Sequence, residues 1–380
     1  MNPDTVSTRV RDGAADPQTP ASVTPLRRLT DALAAAMTVP EIAGERCVHA
    51  RIETARCRAC ADACPRGAWI VDAEQVGLDT EACDGCELCV PACPEGVIVS
   101  RRLRDPEIRS WNDRPAAFRA CESAGVAAAV GVVPCLHAIG VVELLRLYRR
   151  GVRDWIVSAA PCESCSRGNN PRFQAAIDQT QRLLSSRALP PLTVTVLEPQ
   201  HWAARAASAA VATDSAVLSR RGFFRKALGV AADAVADSAA DADARASFAP
   251  ATAWLPDAGS NSVQLYQPVI DPHRCNGCDA CARLCPHRAI ALERSPDGPR
   301  YRLDGRLCTG CGICRDVCDQ NAASVLALQP QATAAVTLVE RQCPACGTTH
   351  HRPAATDSDD ALCRICARTR RTRLLYQTLD

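Results

Sequence analysis

The chain has 380 residues, enough for two to four domains; 47% are hydrophobic and only 4% aromatic, so its cores must rest on Ala, Val and Leu. A formal net charge of +2 argues against a nucleic-acid binder, which would carry a clear basic excess. The 24 cysteines fall into sets of four, and the N-terminus, MNPDTVSTRVRDGAADPQTP, lacks the apolar run of a secretory leader; a disulfide scaffold is therefore set aside for metal ligation in a reducing, cytoplasmic compartment.

Residues 1–43 read as a flexible arm ending in a short amphipathic helix at 26–37. Residues 44–103 hold eight cysteines. They are Cys47-x9-Cys57-x2-Cys60-x3-Cys64-Pro65, then Cys83-x2-Cys86-x2-Cys89-x3-Cys93-Pro94. The uncharged run 123–142 approaches the length of a membrane span, but Pro134, Cys135 and His137 sit within it, so strand, turn and helix are expected and no span is assigned. Across 115–202, AFRAC, VAAAVGVVPC, DWIVSAAPC and LTVTVLEP are β-like, while AIGVVELLRLYRRG and PRFQAAIDQTQRLLSSR space apolar residues by three and four. That alternation predicts a small parallel sheet with crossover helices. Cys121, Cys135 and Cys162 end strands and Cys165 follows, so four thiols can converge where such sheets open onto a crevice. His137 is placed in a turn, as a donor to this set or a ligand of it.

Residues 203–264 are rich in Ala, Asp and Ser and read as a linker with room for one helix. Within them, Ser219-Arg220-Arg221-Gly222-Phe223-Phe224-Arg225-Lys226 resembles a twin-arginine signal, but it lies deep in the chain and is followed by Asp233, Asp237, Asp241 and Asp243, so export is not expected. Residues 265–330 repeat the eight-cysteine pattern. Here it is Cys275-x2-Cys278-x2-Cys281-x3-Cys285-Pro286 and Cys308-x2-Cys311-x2-Cys314-x3-Cys318, an internal duplication. Residues 338–380 carry Cys343-x2-Cys346 and Cys363-x2-Cys366, two knuckles closing one loop. That spacing suits a structural zinc, with a single rubredoxin-like iron as the competitor. His350 and His351 in this loop are read as solvent-facing.

The two eight-cysteine runs resemble the bacterial two-[4Fe-4S] ferredoxins. The resemblance implies that each cluster takes three closely spaced cysteines and a fourth from the other half of its module. One set is Cys47, Cys57, Cys60 and Cys93, with Cys47 the departure from the family spacing; the next is Cys83, Cys86, Cys89 and Cys64. In the second module the sets are Cys275, Cys278, Cys281 and Cys318, and Cys308, Cys311, Cys314 and Cys285. Zinc is the alternative metal, but it normally uses two separated CxxC pairs. The stretch from Val133-Pro134-Cys135 to Gly168-Asn169 resembles the delta subunit of methyl-viologen-reducing hydrogenases, which implies a [2Fe-2S] cluster on Cys121, Cys135, Cys162 and Cys165; zinc and a redox dithiol stay open there. The twin-arginine-like start of the second half resembles the ferredoxin-type accessory protein of periplasmic nitrate reductases.

The expected fold is thus α+β and multidomain, with two ferredoxin-like bicluster modules, a small central parallel α/β domain and a zinc-ribbon-like knuckle. No nucleotide loop or Ser/His/Asp arrangement is present, so no catalytic residue is assigned. The expected role is electron relay to a redox-enzyme partner such as a molybdenum formate dehydrogenase, nitrate reductase or hydrogenase. The alternative is a maturation factor for such an enzyme.

Overall fold

The computed structural model describes residues 39–72, 76–103, 106–127, 130–168, 171–211, 249–256, 259, 262–331, 335–358 and 362–369. The arm helix at 26–37, the twin-arginine-like segment and the tail arginines Arg370, Arg371 and Arg373 lie outside the described residues.

In the first module β1 (Glu41–Ile42) pairs antiparallel with β4 (Ile98–Val99), and β2 (Trp69–Val71) with β3 (Val76–Leu78). Two short helices, α1 (Val48–Arg51) and α2 (Ala59–Ala63), carry the chain past its first cysteines. An outer strand pair enclosing an inner hairpin lets thiols from both halves meet on one side. Trp69, Cys89 and Ile98 form the small core there.

The central sheet begins with a hairpin, β5 (Ile108–Trp111) and β6 (Arg114–Cys121). Its two-residue loop, Asn112 and Asp113, takes positive φ at both positions, the twist that matches a tight hairpin. β6 then pairs in parallel with β7 (Val132–Val133) and with β8 (Asp154–Ser158), which pairs in parallel with β9 (Thr193–Val196). Helices α3 (Val141–Arg149) and α4 (Arg172–Ser185) cover one face through Leu144, Leu145, Phe173, Ile177 and Leu184. On the other face α5 (Pro199–Ser208) inserts Trp202 against Phe118 and Ile156. Both faces are covered, which is why β8 is buried along its whole length. Among the described residues of the β-like run before Cys135, Val132 and Val133 pair with β6; beside them Gly131 has φ +85, and a Cβ there would stand 2.7 Å from the Phe118 carbonyl.

The stretch read as a linker contributes structure at both ends. α5 continues to Ser208, and Ala251, Trp254 and Leu255 join the core beneath α3 together with Leu265.

The second module repeats the first plan with longer strands. β10 (Val263–Ile270) pairs antiparallel with β13 (Ala323–Pro330), and β11 (Ile290–Ser295) with β12 (Gly298–Leu303). Helices α6 (Ala280–Leu284) and α7 (Ile313–Asp316) follow its cysteine loops. The C-terminal knuckle grows out of this module: β12 pairs with β14 (Val336–Gln342), which pairs with β15 (Thr349–Pro353), giving a four-stranded antiparallel sheet. A short helix, α8 (Arg364–Thr369), follows.

Candidate metal centres

Three cysteine loops share one backbone solution. In Cys83-Asp84-Gly85-Cys86-Glu87, Cys275-Asn276-Gly277-Cys278-Asp279 and Cys308-Thr309-Gly310-Cys311-Gly312, the third and fifth residues all have positive φ. The two left-handed turns curl the backbone so that N–H groups face the sulfurs; Gly277 N–H, for example, points at Cys275 Sγ, 3.4 Å away. At Gly277 a side chain is also impossible for space: a Cβ would stand 2.3 Å from the His351 carbonyl. The loop at Cys57-Arg58-Ala59-Cys60 differs. Ala59 does not take the left-handed turn and instead opens α2.

The fourth cysteine is held in another way in three of the four halves. Backbone N–H groups four residues on donate to Cys64 from Ala68 (3.4 Å), to Cys93 from Val97 (3.4 Å) and to Cys318 from Ala322 (3.2 Å). Trp69 adds a side-chain N–H to Cys89.

The thiols gather as follows. Cys47, Cys57, Cys60 and Cys93 line one cavity of about 320 Å³. The nine-residue excursion between the first two is closed by His49, whose Nε2 donates to the Cys57 carbonyl at 2.8 Å. Cys64 faces Cys83, which with Cys86 faces Cys89. Cys275, Cys278, Cys281 and Cys318 line a second cavity; Cys285, Cys308, Cys311 and Cys314 line a third. Within each module the two sets touch: Cys60, Cys64, Cys89 and Cys93 pack around Trp69, and Cys281 with Cys314 shares the core of the second.

Burial governs the acidity of these groups. It pushes Cys60 and Cys311 up to about 11, and Cys86, Cys89, Cys281 and Cys308 up to about 12; neighbouring thiols add to the effect at all but Cys86, where Asp84 does. Such thiols stay protonated at neutral pH until a cation takes the proton's place, so the donor sets suit iron held at sulfur.

In the central domain Cys121 and Cys135 are buried at the ends of β6 and β7, and Cys162 and Cys165 follow β8. Cys135 faces Cys121 and Cys162, and Cys162 faces Cys165. His137 is fixed in one tautomer. Its Nδ1 accepts the Phe173 N–H (3.1 Å), so the proton sits on Nε2, 3.3 Å from Cys162 Sγ. Burial lowers its pKa, keeping it neutral.

The C-terminal set is tighter. The sulfurs of Cys343, Cys346, Cys363 and Cys366 all lie within 4.8 Å of one another, and Cys346 stands 3.8 Å from Cys363. No other such group of three or more draws this close among the described residues. The Cys363 N–H, 3.3 Å from Cys343 Sγ, leads the donors that pull this thiol down to about 6. His351, read from the sequence as solvent-facing, is instead packed inward: its Nε2 donates to Asp279 Oδ1 at 2.7 Å, and its side chain is 10% exposed.

The sequence reading also missed what joins the modules. Glu95, two residues past Cys93 and 3% exposed, accepts from His287 Nε2 (3.0 Å) and from the Thr309 hydroxyl (2.6 Å) of the second module. In the opposite direction Asp316 accepts the Arg56 N–H at 2.9 Å, beside Cys57. On the central side Arg167 pairs with Asp84 (3.3 Å), and Cys86, Leu88 and Cys135 pack together.

Comparison with known families bears on the same segments. Residues 274–323, with all eight cysteines of the second module, match the 4Fe-4S dicluster domain; residues 76–99, with Cys83, Cys86, Cys89 and Cys93, match the 4Fe-4S binding domain. Cys47, Cys57, Cys60 and Cys64 lie outside the matched stretches. No curated protein matches the chain. The two ferredoxin-type domains support an iron–sulfur electron-transfer role. No helix among the described residues is long and apolar enough to cross a membrane.

Proposed function

We propose that this iron–sulfur protein is a multi-centre relay that passes single electrons from the central four-cysteine domain, through both ferredoxin modules, to a redox-enzyme partner. A bound [4Fe-4S] cluster supplies one-electron storage at a potential set by charge, burial and hydrogen bonds to sulfur. The chain's own residues do the rest. Cys83, Cys86, Cys89 and Cys64 hold the centre next to the central domain, Cys47, Cys57, Cys60 and Cys93 the next, Cys308, Cys311, Cys314 and Cys285 the third, and Cys275, Cys278, Cys281 and Cys318 the last.

The observation that carries this reading is contiguity: each thiol set touches the next through a named contact. Cys135 packs on Cys86 and Leu88. Cys60 and Cys93 pack with Cys64 and Cys89. Glu95 spans the modules, and Cys314 meets Cys281. A storage ferredoxin needs no such series.

Cys121, Cys135, Cys162 and Cys165 are proposed to hold a [2Fe-2S] cluster, since their sulfurs are not drawn to the single-ion spacing seen at the C-terminus. That C-terminal set is proposed to hold zinc, whose tetrahedral Zn–S bonds of about 2.3 Å place sulfurs roughly 3.8 Å apart. The partner, on the resemblances of the sequence, is a molybdoenzyme or hydrogenase.

The test is made in cells lacking the chain. A relay predicts that an added viologen dye restores the partner enzyme's turnover in extracts, because the missing step is electron delivery. Activity that stays absent with the dye would contradict the relay and favour a maturation role.

A further inference from the structure

The described contacts between the two ferredoxin modules converge on two buried carboxylates, each carried by one module and lodged in the other. Glu95 leaves the Cys93-Pro94 turn and lines the cavity of Cys47, Cys57, Cys60 and Cys93. Its carboxylate reaches across to Thr309, the neighbour of Cys308, and to His287, two residues past Cys285. Both donors thus belong to loops of the set Cys285, Cys308, Cys311 and Cys314. Asp316 makes the reverse journey. It ends α7, two residues past Cys314, with its side chain 2% exposed, and accepts the backbone N–H of Arg56, the residue before Cys57.

A buried carboxylate is costly unless its oxygens are satisfied. Both are: Asp316 also accepts from the largely exposed Arg315 guanidinium at 3.0 Å, and every partner lies within two residues of a cysteine. After burial itself, Glu95 is among the charges that raise Cys308 and Cys311, and Asp316 among those that raise Cys57.

We propose that Glu95 and Asp316 are positioning residues that fix the first and second modules as one redox unit, each carboxylate setting both the separation and the charge at the thiol set of the opposite module. The inference rests on the relay reading above. When one electron crosses the junction, one side loses one reducing equivalent and the other gains it. No bond is made or broken in this exchange. Arg315 offsets part of the Asp316 charge, so Glu95 carries the larger share; the negative charge at the seam disfavours an added electron on either side and holds both facing sites at lower potential than the outer ones. A carboxylate here does what an amide of the same shape cannot, which makes charge and geometry separable.

The test uses the full chain, purified anaerobically, in Glu95→Gln, Asp316→Asn and Thr309→Val forms, titrated with dithionite and followed by EPR. Glu95→Gln and Asp316→Asn keep the shape and remove one charge each. A unit charge roughly 10 Å away, at an effective dielectric of about 20, moves the ratio of reduced to oxidised site about tenfold. Each variant is therefore expected to hold wild-type iron and sulfide; Glu95→Gln should shift its facing site about tenfold toward reduction at fixed potential, and Asp316→Asn, whose charge Arg315 partly offsets, in the same direction by less. Thr309→Val removes the bridge to Glu95 and the hydroxyl's hydrogen bond to Cys311 with little change in volume; it is expected to weaken the magnetic interaction between sites across the seam while leaving the carboxylate charge in place. Loaded variants that titrate and broaden as wild type would overturn the junction and leave the relay standing. A wild type without iron would overturn both. Should Glu95→Gln fail to load, Asp316→Asn, which touches the other side of the seam, decides the matter.

Discussion

Asp279→Ala isolates the contact that docks the C-terminal knuckle on the second ferredoxin module. Asp279 Oδ1 accepts from the Tyr301 hydroxyl (2.7 Å) and from His351 Nε2 (2.7 Å), and Tyr301 is fully buried. Burial alone would raise this carboxyl, but the two donors outweigh it and hold it below the usual aspartate range. The stabilisation is therefore complete above the free value of about 3.9 and fades only as pH falls through the lower folded value, so a neutral-pH experiment reads all of it. Removing the carboxylate leaves a buried hydroxyl without its acceptor, which costs about 1–3 kcal/mol, and a lost charged partner for His351 adds to it. Alanine also tolerates the left-handed backbone here (φ +64) less well than aspartate. A total near 3 kcal/mol corresponds to local opening on the order of 100-fold more frequent. Asp279→Asn keeps an acceptor and the turn, and should cost about 1 kcal/mol. Hydrogen exchange at neutral pH reads this directly in β14 and β15, whose ladder runs from Leu338–Pro353 to Gln342–Thr349. Unchanged protection of those amides in Asp279→Ala would show that β12–β14 pairing and the remaining contacts suffice to hold the knuckle, and would refute the docking role of the Asp279–His351 pair.

Cys47→Ser should remove or degrade one cubane, lowering iron by up to about four per chain while the metal of the C-terminal four-cysteine set is unaffected; iron unchanged within error would mean that Cys47 lines its cavity without ligating. His137→Phe removes the fixed N–H donated to Cys162. Loss of about 1 kcal/mol of thiolate stabilisation lowers the midpoint of the central site by about 40 mV for a one-electron couple, and an unmoved midpoint in potentiometry would reject the donor role. At the ribbon the shifts oppose each other: backbone N–H groups, led by that of Cys363, lower Cys343 to about 6, while hydrogen bonds with Cys346 and Cys363 raise Cys366 to about 12. A metal held there must displace at least the Cys366 proton, so metal occupancy should fall as pH falls; occupancy that does not change with pH would contradict ligation by these thiols.

The iron–sulfur character was legible because its signal is local. Three thiols two residues apart must sit on one turn, and the glycines at 85, 277 and 310 announce the curl that turn requires. The parallel sheet was legible for the same kind of reason: β-branched runs alternate with amphipathic segments. What stayed hidden depends on distant partners. Glu95 lies 192 residues from His287 and 214 from Thr309, and a glutamate after Cys-Pro reads as a solvated turn until both donors are in place. His351 looked exposed because nothing nearby in sequence is its acceptor; Asp279 is 72 residues away. The Ala-rich stretch 203–264 looked like linker by composition, yet Trp254 within it joins the core beneath α3, a large side chain that composition averages away. The knuckle read as a separate unit because the β12–β14 pairing, Tyr301 with Val336, joins strands that no local pattern connects.

The central claim is that the cysteine sets cage inorganic centres which hand electrons along the chain, and metal analysis of anaerobically purified protein tests it most directly. Four cubanes, one two-iron centre and one zinc predict about eighteen irons per chain with one zinc, and an EPR signal that develops on dithionite reduction. Two irons or fewer per chain, with no signal after reduction, would contradict the account.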